Sequence, residues 1–259
     1  MLRRFSSQVP IVNSQSKASF KPRRGGFTFK QFFVAHDRCA MKVGTDGVLL
    51  GAWAPVKAVR RALDIGCGSG LIALMLAQRT ADEVQIDAVE LDAAAAAQAH
   101  DNADASPWPQ RICVHQQDIE PFSRQQSAAY DLIVSNPPYF APAVACRDRA
   151  RDAARYTETL THDVLLDCAE RLLQPDGTLC VVLPYEIGEA FAADAQQRGW
   201  HLAQRVNVSD RADTARHRIL LALTRTPQAC VESDLAIKQA DGDYSPPFRR
   251  LIADFYLFY

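Results

Sequence analysis

The sequence predicts an α/β fold with a doubly wound, mostly parallel sheet, and three observations carry that prediction. Segments of strand and helix character alternate from Ala62 onward, the pattern of repeated βα units. A glycine-rich turn, Gly66-Cys67-Gly68-Ser69-Gly70, joins the first such strand to the first such helix. Polar side chains (Asp64, Glu90, Asp118 and Asn136) then recur at the ends of successive strand-like runs, the edge at which open α/β sheets bind ligands.

Residues 1–26 lack periodicity and end in Arg23-Arg24-Gly25-Gly26, which predicts a basic, flexible extension. Residues 27–60 read as an N-terminal cap with a helix around Thr45 to Trp53. In the core, 61–225, strands are expected near 62–66, 84–89, 112–117 and 130–135, and a fifth at 178–183 after the turn Pro175-Asp176-Gly177. Helices are expected near 70–79, 92–104, 161–173 and 186–198, and two late strands near 200–208 and 217–224. Residues 226–259 read as an appendage, with a strand at Leu235-Ala236-Ile237 and an amphipathic helix from Phe248 to Tyr259. There is no internal repeat.

The glycine turn has the strand, loop, helix context of a nucleotide-binding loop. Its spacing, G-x-G-x-G, is neither the dinucleotide pattern nor a phosphate-cradling loop, since no Lys-Ser/Thr pair follows. Asp64 just ahead of it would repel a pyrophosphate. A cationic ligand suits it better, one with an ammonium and a sulfonium such as S-adenosylmethionine. Glu90, twenty residues after Gly70, stands where an acid accepts from ribose hydroxyls. Asp118 stands where it can accept from an adenine amino group, with Leu91 and Ile119 covering the ring faces.

Asn136-Pro137-Pro138-Tyr139 closes the run Tyr130 to Ser135. A proline pair ends a strand abruptly, because proline has no N–H and restricts the residue before it. Asn136 is thereby held extended at a strand tip with an aromatic ring three residues on. This suits a planar amine: the Asn136 side-chain oxygen and the Pro137 carbonyl each accept one N–H, and Tyr139 stacks on the ring. An exocyclic amine is a poor nucleophile while its lone pair is delocalised. Two acceptors favour a pyramidal nitrogen, which is stabilisation aimed at charge developing in the transition state. No catalytic histidine or cysteine is expected, nor a metal.

Taken together, Asp-x-Gly-x-Gly-x-Gly, the later Glu, Asp118-Ile119 and Asn-Pro-Pro-Tyr resemble a class I S-adenosylmethionine-dependent amino-methyltransferase. The stretch from Phe29 to Gly47, which includes Lys42-Val43-Gly44-Thr45-Asp46-Gly47, narrows the likeness. It resembles the bacterial tRNA(valine) N6-adenosine methyltransferase family, which modifies adenine at tRNA position 37, and the likeness runs from about Phe27 to Leu257. The resemblance implies one methyltransferase domain over 27–259. It implies a Rossmann-like, mostly parallel seven-stranded sheet with the last strand antiparallel and helices on both faces. It implies S-adenosyl-L-methionine as cofactor, held by Asp64, Gly66, Gly68, Gly70, Glu90, Leu91, Asp118 and Ile119, with Lys42, Thr45 and Asp46, just ahead of the first helix, bordering its methionine end. Asn136, Pro137 and Tyr139 take the catalytic roles, and Pro138 lies against the substrate.

Charge bears on the substrate. The formal net charge is −1, a weak footprint for a nucleic-acid binder as a whole. Residues 1–30, however, hold seven Lys or Arg and no acid, and a second cluster, Arg147, Arg149, Arg151 and Arg155, follows the Asn-Pro-Pro-Tyr motif. Arg23, Arg24, Arg147, Arg151 and Arg155 are therefore candidate tRNA phosphate contacts. Seven cysteines without paired spacing read as reduced thiols, and the expected location is cytoplasmic. No apolar run is long enough for a membrane helix. His36, His162 and His217 read as structural. No heptad pattern demands a dimer, so a monomer is expected. Two alternatives stay open: methylation of a glutamine side chain in a protein translation factor, which the same clamp serves, and a cofactor-binding module without turnover.

Overall fold

The computed structural model describes residues 25–126, 128–139 and 160–258. Among them, one sheet of eight strands forms the centre, in the order β10-β8-β9-β7-β6-β3-β4-β5. Strands β3 (Arg61–Ile65), β4 (Gln85–Glu90), β5 (Ile112–Gln116), β6 (Tyr130–Ser135) and β7 (Leu173–Pro184) run parallel. Strand β9 (Arg216–Thr224) is antiparallel to both its neighbours, β7 and β8 (His201–Ser209). Strand β10 (Val231–Ala236) then pairs parallel to β8.

The expected count of seven is thus corrected to eight, and the last strand in the chain is not the reversed one. An exposed β8 would leave a row of backbone groups unpaired, and β10 covers that edge. A separate two-stranded hairpin, β1 (Gly26–Thr28) with β2 (Phe33–Ala35), was not anticipated, because three-residue strands are too short to show alternation.

Helices lie on both faces. Helices α1 (Thr45–Trp53), α2 (Leu71–Arg79), α3 (Ala93–Asp104) and α7 (Pro246–Ile252) contribute to one buried cluster. Helices α4 (Ile119–Gln125), α5 (His162–Leu172) and α6 (Tyr185–Gln197) contribute to the other. Burial on both faces accounts for the near-continuous apolar reading of β3, β6 and β7. Helix α4 is missing from the sequence reading because Pro121 looks like a breaker, yet proline is tolerated in a first turn, and Asp118 caps the helix by accepting from Glu120 N–H at 2.8 Å. The final helix is shorter than expected. It starts at two prolines behind the Ser245 cap and stops at Ile252.

Two glycines set spacings that matter for the site. Gly47 and Gly51 share one face of α1, and Cβ atoms there would lie 2.9 Å from Leu71 Cδ2 and 2.8 Å from Met75 Sδ, so α1 lies hard against α2. On the opposite face, a Cβ at Gly188 of α6 would lie 2.1 Å from Ile219 Cγ2 on β9. Ile219 is fully buried and has nowhere to go. Gly188→Ala is expected to destabilise the fold by about 1–3 kcal/mol, the usual cost of overpacking, read as a lower midpoint in urea with an unchanged slope.

Candidate active site

Strand β3 delivers the chain into the glycine turn. Gly66, Gly68 and Gly70 all have left-handed backbone, with φ of 71, 54 and 77°. The turn is tied down by Gly66 and Cys67 N–H groups donating to Val89 O at 2.9 and 3.1 Å. A Cβ at Gly68 would meet nothing within 4 Å, and one at Gly66 only Leu160 at 3.7 Å, so both keep their ligand side clear. Gly70 faces away from this space, against Ala99 of α3.

Two cavities adjoin at this turn. The first, of about 340 Å³, is walled by Glu90, Leu91, Asp118, Ile119 and Pro138 together with Cys39, Ala40 and Leu160. The second, of about 410 Å³, is walled by Lys42, Thr45, Asp46, His217 and Arg218. Gly66, Gly68, Met41, Asn136 and Tyr139 line both. The first volume falls in the usual range of roughly 300–1,000 Å³ for small-molecule sites.

The acids differ in placement. Asp64 is fully buried behind the turn and lines neither cavity. Its Oδ2 accepts from Ala73 N–H at 3.1 Å, and its Oδ1 has no partner among the described residues. Burial pushes its carboxyl up to about 7, opposed by the Ala73 N–H and reinforced by the charge of Glu90. Glu90 is on the wall, with Oε2 accepting from Gly68 N–H and Oε1 from Asp92 N–H, both at 2.9 Å. Its pKa too is raised by burial. Two buried carboxylates, one with an orphan oxygen, make an environment that favours a cation. The residues present therefore fit S-adenosylmethionine.

Asn136 follows β6, whose Ser135 hydroxyl is pinned to Ile65 O at 2.9 Å. The Asn136 Oδ1 is buried with no partner among the described residues. An unsatisfied buried acceptor costs about 1–3 kcal/mol, so this atom is set for a donor that the described residues do not supply. Pro137 is buried and lines neither cavity. The Tyr139 hydroxyl donates to Asp46 Oδ2 at 3.0 Å and accepts from Arg218 Nη2 at 3.0 Å. Arg218 Nε donates to both Asp46 oxygens, at 3.0 and 2.9 Å.

The sequence reading missed Arg218 and the wall formed by Cys39 to Met41, and it placed Asp46 at the methionine end without its partners Tyr139 and Arg218. The available signal was an arginine directly ahead of an apolar run, Arg218 before Ile219-Leu220-Leu221. His217, expected to be structural, lines the second cavity. Arg23, Arg24, Arg147, Arg151 and Arg155 lie outside the described residues.

Outside both cavities, Asp87, Cys113 and His115 bring potential ligand atoms within 4.8 Å of one another. Asp87 is already engaged by His115 at 2.7 Å, Arg61 at 2.9 Å and Tyr130 at 2.8 Å. Among the described residues no helix is long and apolar enough to cross a membrane.

The chain matches a family model described as the methyltransferase small domain over residues 42–195. It is 72% identical over 260 residues, covering all of both chains, to the tRNA1(Val) (adenine(37)-N6)-methyltransferase of Serratia proteamaculans (strain 568). It is 61% identical over 251 residues to the protein of that name from Yersinia pseudotuberculosis serotype O:3 (strain YPIII), covering 97% of this chain and 100% of the other. Its fold is similar to the crystal structure of a predicted O-methyltransferase from Agrobacterium tumefaciens, with a TM-score of 0.63 at 16% identity, over 81% of this chain and 96% of that one. It is also similar to the methyltransferase subunit of a type I restriction-modification system from Streptococcus thermophilus, with a TM-score of 0.57 at 17% identity, over 80% of this chain and 50% of that one.

Proposed function

The chain belongs to the tRNA1(Val) (adenine(37)-N6)-methyltransferase family, and from that premise we propose that it methylates N6 of adenine 37 in the anticodon loop of tRNA(Val). The observation that carries the residue assignment is the buried Asn136 Oδ1, without a partner among the described residues, at the junction of two cavities. When bound, S-adenosylmethionine supplies an activated methyl group on a sulfonium.

The first cavity takes the adenosine half. Glu90 accepts from the ribose hydroxyls, Leu91 and Ile119 cover the base, and Asp118, one oxygen already used as a helix cap, offers its remaining acceptor capacity to the amino group. The glycine turn, Lys42 and Thr45 border the methionine end. Asp64 acts from behind the turn through its charge. The target adenine leaves its stack, at low cost in an RNA loop whose bases already splay. Asn136 Oδ1 and the Pro137 carbonyl then accept its two N6 hydrogens while Tyr139 and Pro138 contact the ring. Holding nucleophile and methyl in line supplies much of the rate. A strong base is unnecessary, since the nitrogen becomes acidic on alkylation. Arg23, Arg24, Arg147, Arg151 and Arg155 contact phosphates. The reading is of a cytoplasmic monomer.

The test is label transfer from S-adenosylmethionine into unmodified tRNA, with a translation factor bearing the glutamine acceptor as the competing substrate. Label in adenine 37 of tRNA(Val), mapped at nucleotide resolution, is expected. Label in the protein, or in neither, overturns the reading.

A further inference from the structure

We propose that Asp46 and Arg218 are positioning residues that lock the ring of Tyr139 at the substrate edge of the site, an inference that rests on the amine-clamp reading of Asn136 to Tyr139. Three separate parts of the chain meet here. Asp46 sits in the first turn of α1, Tyr139 follows β6, and Arg218 lies near the start of β9. The three side chains form a closed set of hydrogen bonds: Arg218 Nε shares its N–H between both oxygens of Asp46, Tyr139 donates to Asp46, and Arg218 Nη2 donates to Tyr139. The guanidinium carbon also lies 5.4 Å from the Tyr139 ring centroid, within cation–π range.

The geometry leaves the Tyr139 hydroxyl with its proton committed to Asp46 and a lone pair committed to Arg218. The hydroxyl is therefore not a free acid or base, and what Tyr139 presents to a substrate is its ring. A stacking ring works by being held in place. A tyrosine on a loop has free rotation about two side-chain bonds unless its far end is anchored, and here an ion pair between α1 and β9 anchors it. Asp46 and Arg218 are only 20% and 24% exposed, so solvent does little to loosen the pair. A lysine at 218 would keep the charge and lose the planar group that bonds Asp46 through Nε and Tyr139 through Nη2 at once.

The test uses the full-length enzyme with tRNA substrate and the variants Tyr139→Phe, Asp46→Asn, Arg218→Lys and Tyr139→Ala. Tyr139→Phe keeps the ring and removes only the anchor. It is expected to lower kcat roughly tenfold to hundredfold, the scale of a displaced reacting group. KM for tRNA and cofactor affinity are expected to stay within about threefold, since phosphate contacts dominate tRNA affinity. Asp46→Asn and Arg218→Lys should give the same split. The double variant Asp46→Asn/Tyr139→Phe should be no worse than the weaker single, because both cut one tie. Losses that multiply in the double variant, or that follow falling thermal stability, overturn the inference. Wild-type kcat in Tyr139→Phe, with Tyr139→Ala impaired, overturns the anchor while leaving the clamp standing. An unimpaired Tyr139→Ala removes the reading on which both depend.

Discussion

Asn136→Ala is expected to lower the rate of methyl transfer by at least 10²–10³-fold, the scale seen when one transition-state hydrogen-bonding group is removed, while S-adenosylmethionine binds with affinity within about threefold of wild type. The asymmetry follows from where the atom sits. Asn136 Oδ1 is buried and has no partner among the described residues. Truncating it breaks no side-chain hydrogen bond among the described residues and removes an unsatisfied acceptor, so the variant should be as stable as wild type or slightly more so. Its backbone position, set by Ser135 bonded to Ile65 O on one side and the proline pair on the other, survives the substitution. Single-turnover kinetics beside isothermal titration with the cofactor separates the two effects. Retained turnover takes Asn136 out of the mechanism. A large loss of cofactor affinity moves it into the cofactor site instead.

Asp64→Asn is expected to act in opposite directions on stability and on binding. In the ligand-free protein, burial raises the Asp64 carboxyl from 3.8 to about 7. Between those two values the folded state holds a proton that the unfolded chain has released. Its contribution to stability therefore falls as pH rises from about 4 to about 7, then levels off. At about 1.4 kcal/mol per pKa unit, the ionised form costs the fold on the order of 4 kcal/mol at pH 8. Asparagine keeps an oxygen to accept from Ala73 N–H and carries no charge to bury. The ligand-free variant should therefore melt higher than wild type at pH 8, with the gap closing toward pH 4.

Cofactor binding should change the other way. The cationic ligand favours ionised Asp64, so wild-type affinity should gain on that of the variant as pH rises through about 7. The variant should bind roughly tenfold to hundredfold more weakly at pH 8. Melting curves and titrations at pH 5, 7 and 8 decide the matter. A gap in affinity that does not vary with pH would mean that Asp64 stays ionised throughout or takes no part in binding.

The differences between the sequence reading and the structure have local causes. The five parallel strands were legible because each carries an apolar run next to turn chemistry, and β4, β5 and β6 close on polar residues. Helix α4 was not, since Pro121 in a first turn cannot be told from a breaker without the cap at Asp118. The eighth strand was seen only as Leu235 to Ile237, because Val231-Glu232-Ser233-Asp234 is exposed edge and carries no apolar pattern. Asp64 shows the limit at the level of a single side chain. The sequence places it beside the glycine turn, and only the packed structure shows it beneath the turn, acting at a distance through its charge.

By itself the sequence marked out the residues proposed for the cofactor half of the site and the proposed Asn136-Pro137-Pro138-Tyr139 clamp. Those residues lie on consecutive βα units, and in a parallel sheet every strand brings its C-terminal end to the same edge. Arg218 reaches that edge by the opposite route. It lies near the beginning of β9, paired with Pro184 at the end of β7. Because β9 alone is reversed in the sheet, its start arrives where the other strands finish. The 172 residues that separate Asp46 from Arg218 hide their pairing from any local pattern. The reversal of one strand and the close seating of α1 on α2 brought them together, and both were decided by the tertiary structure.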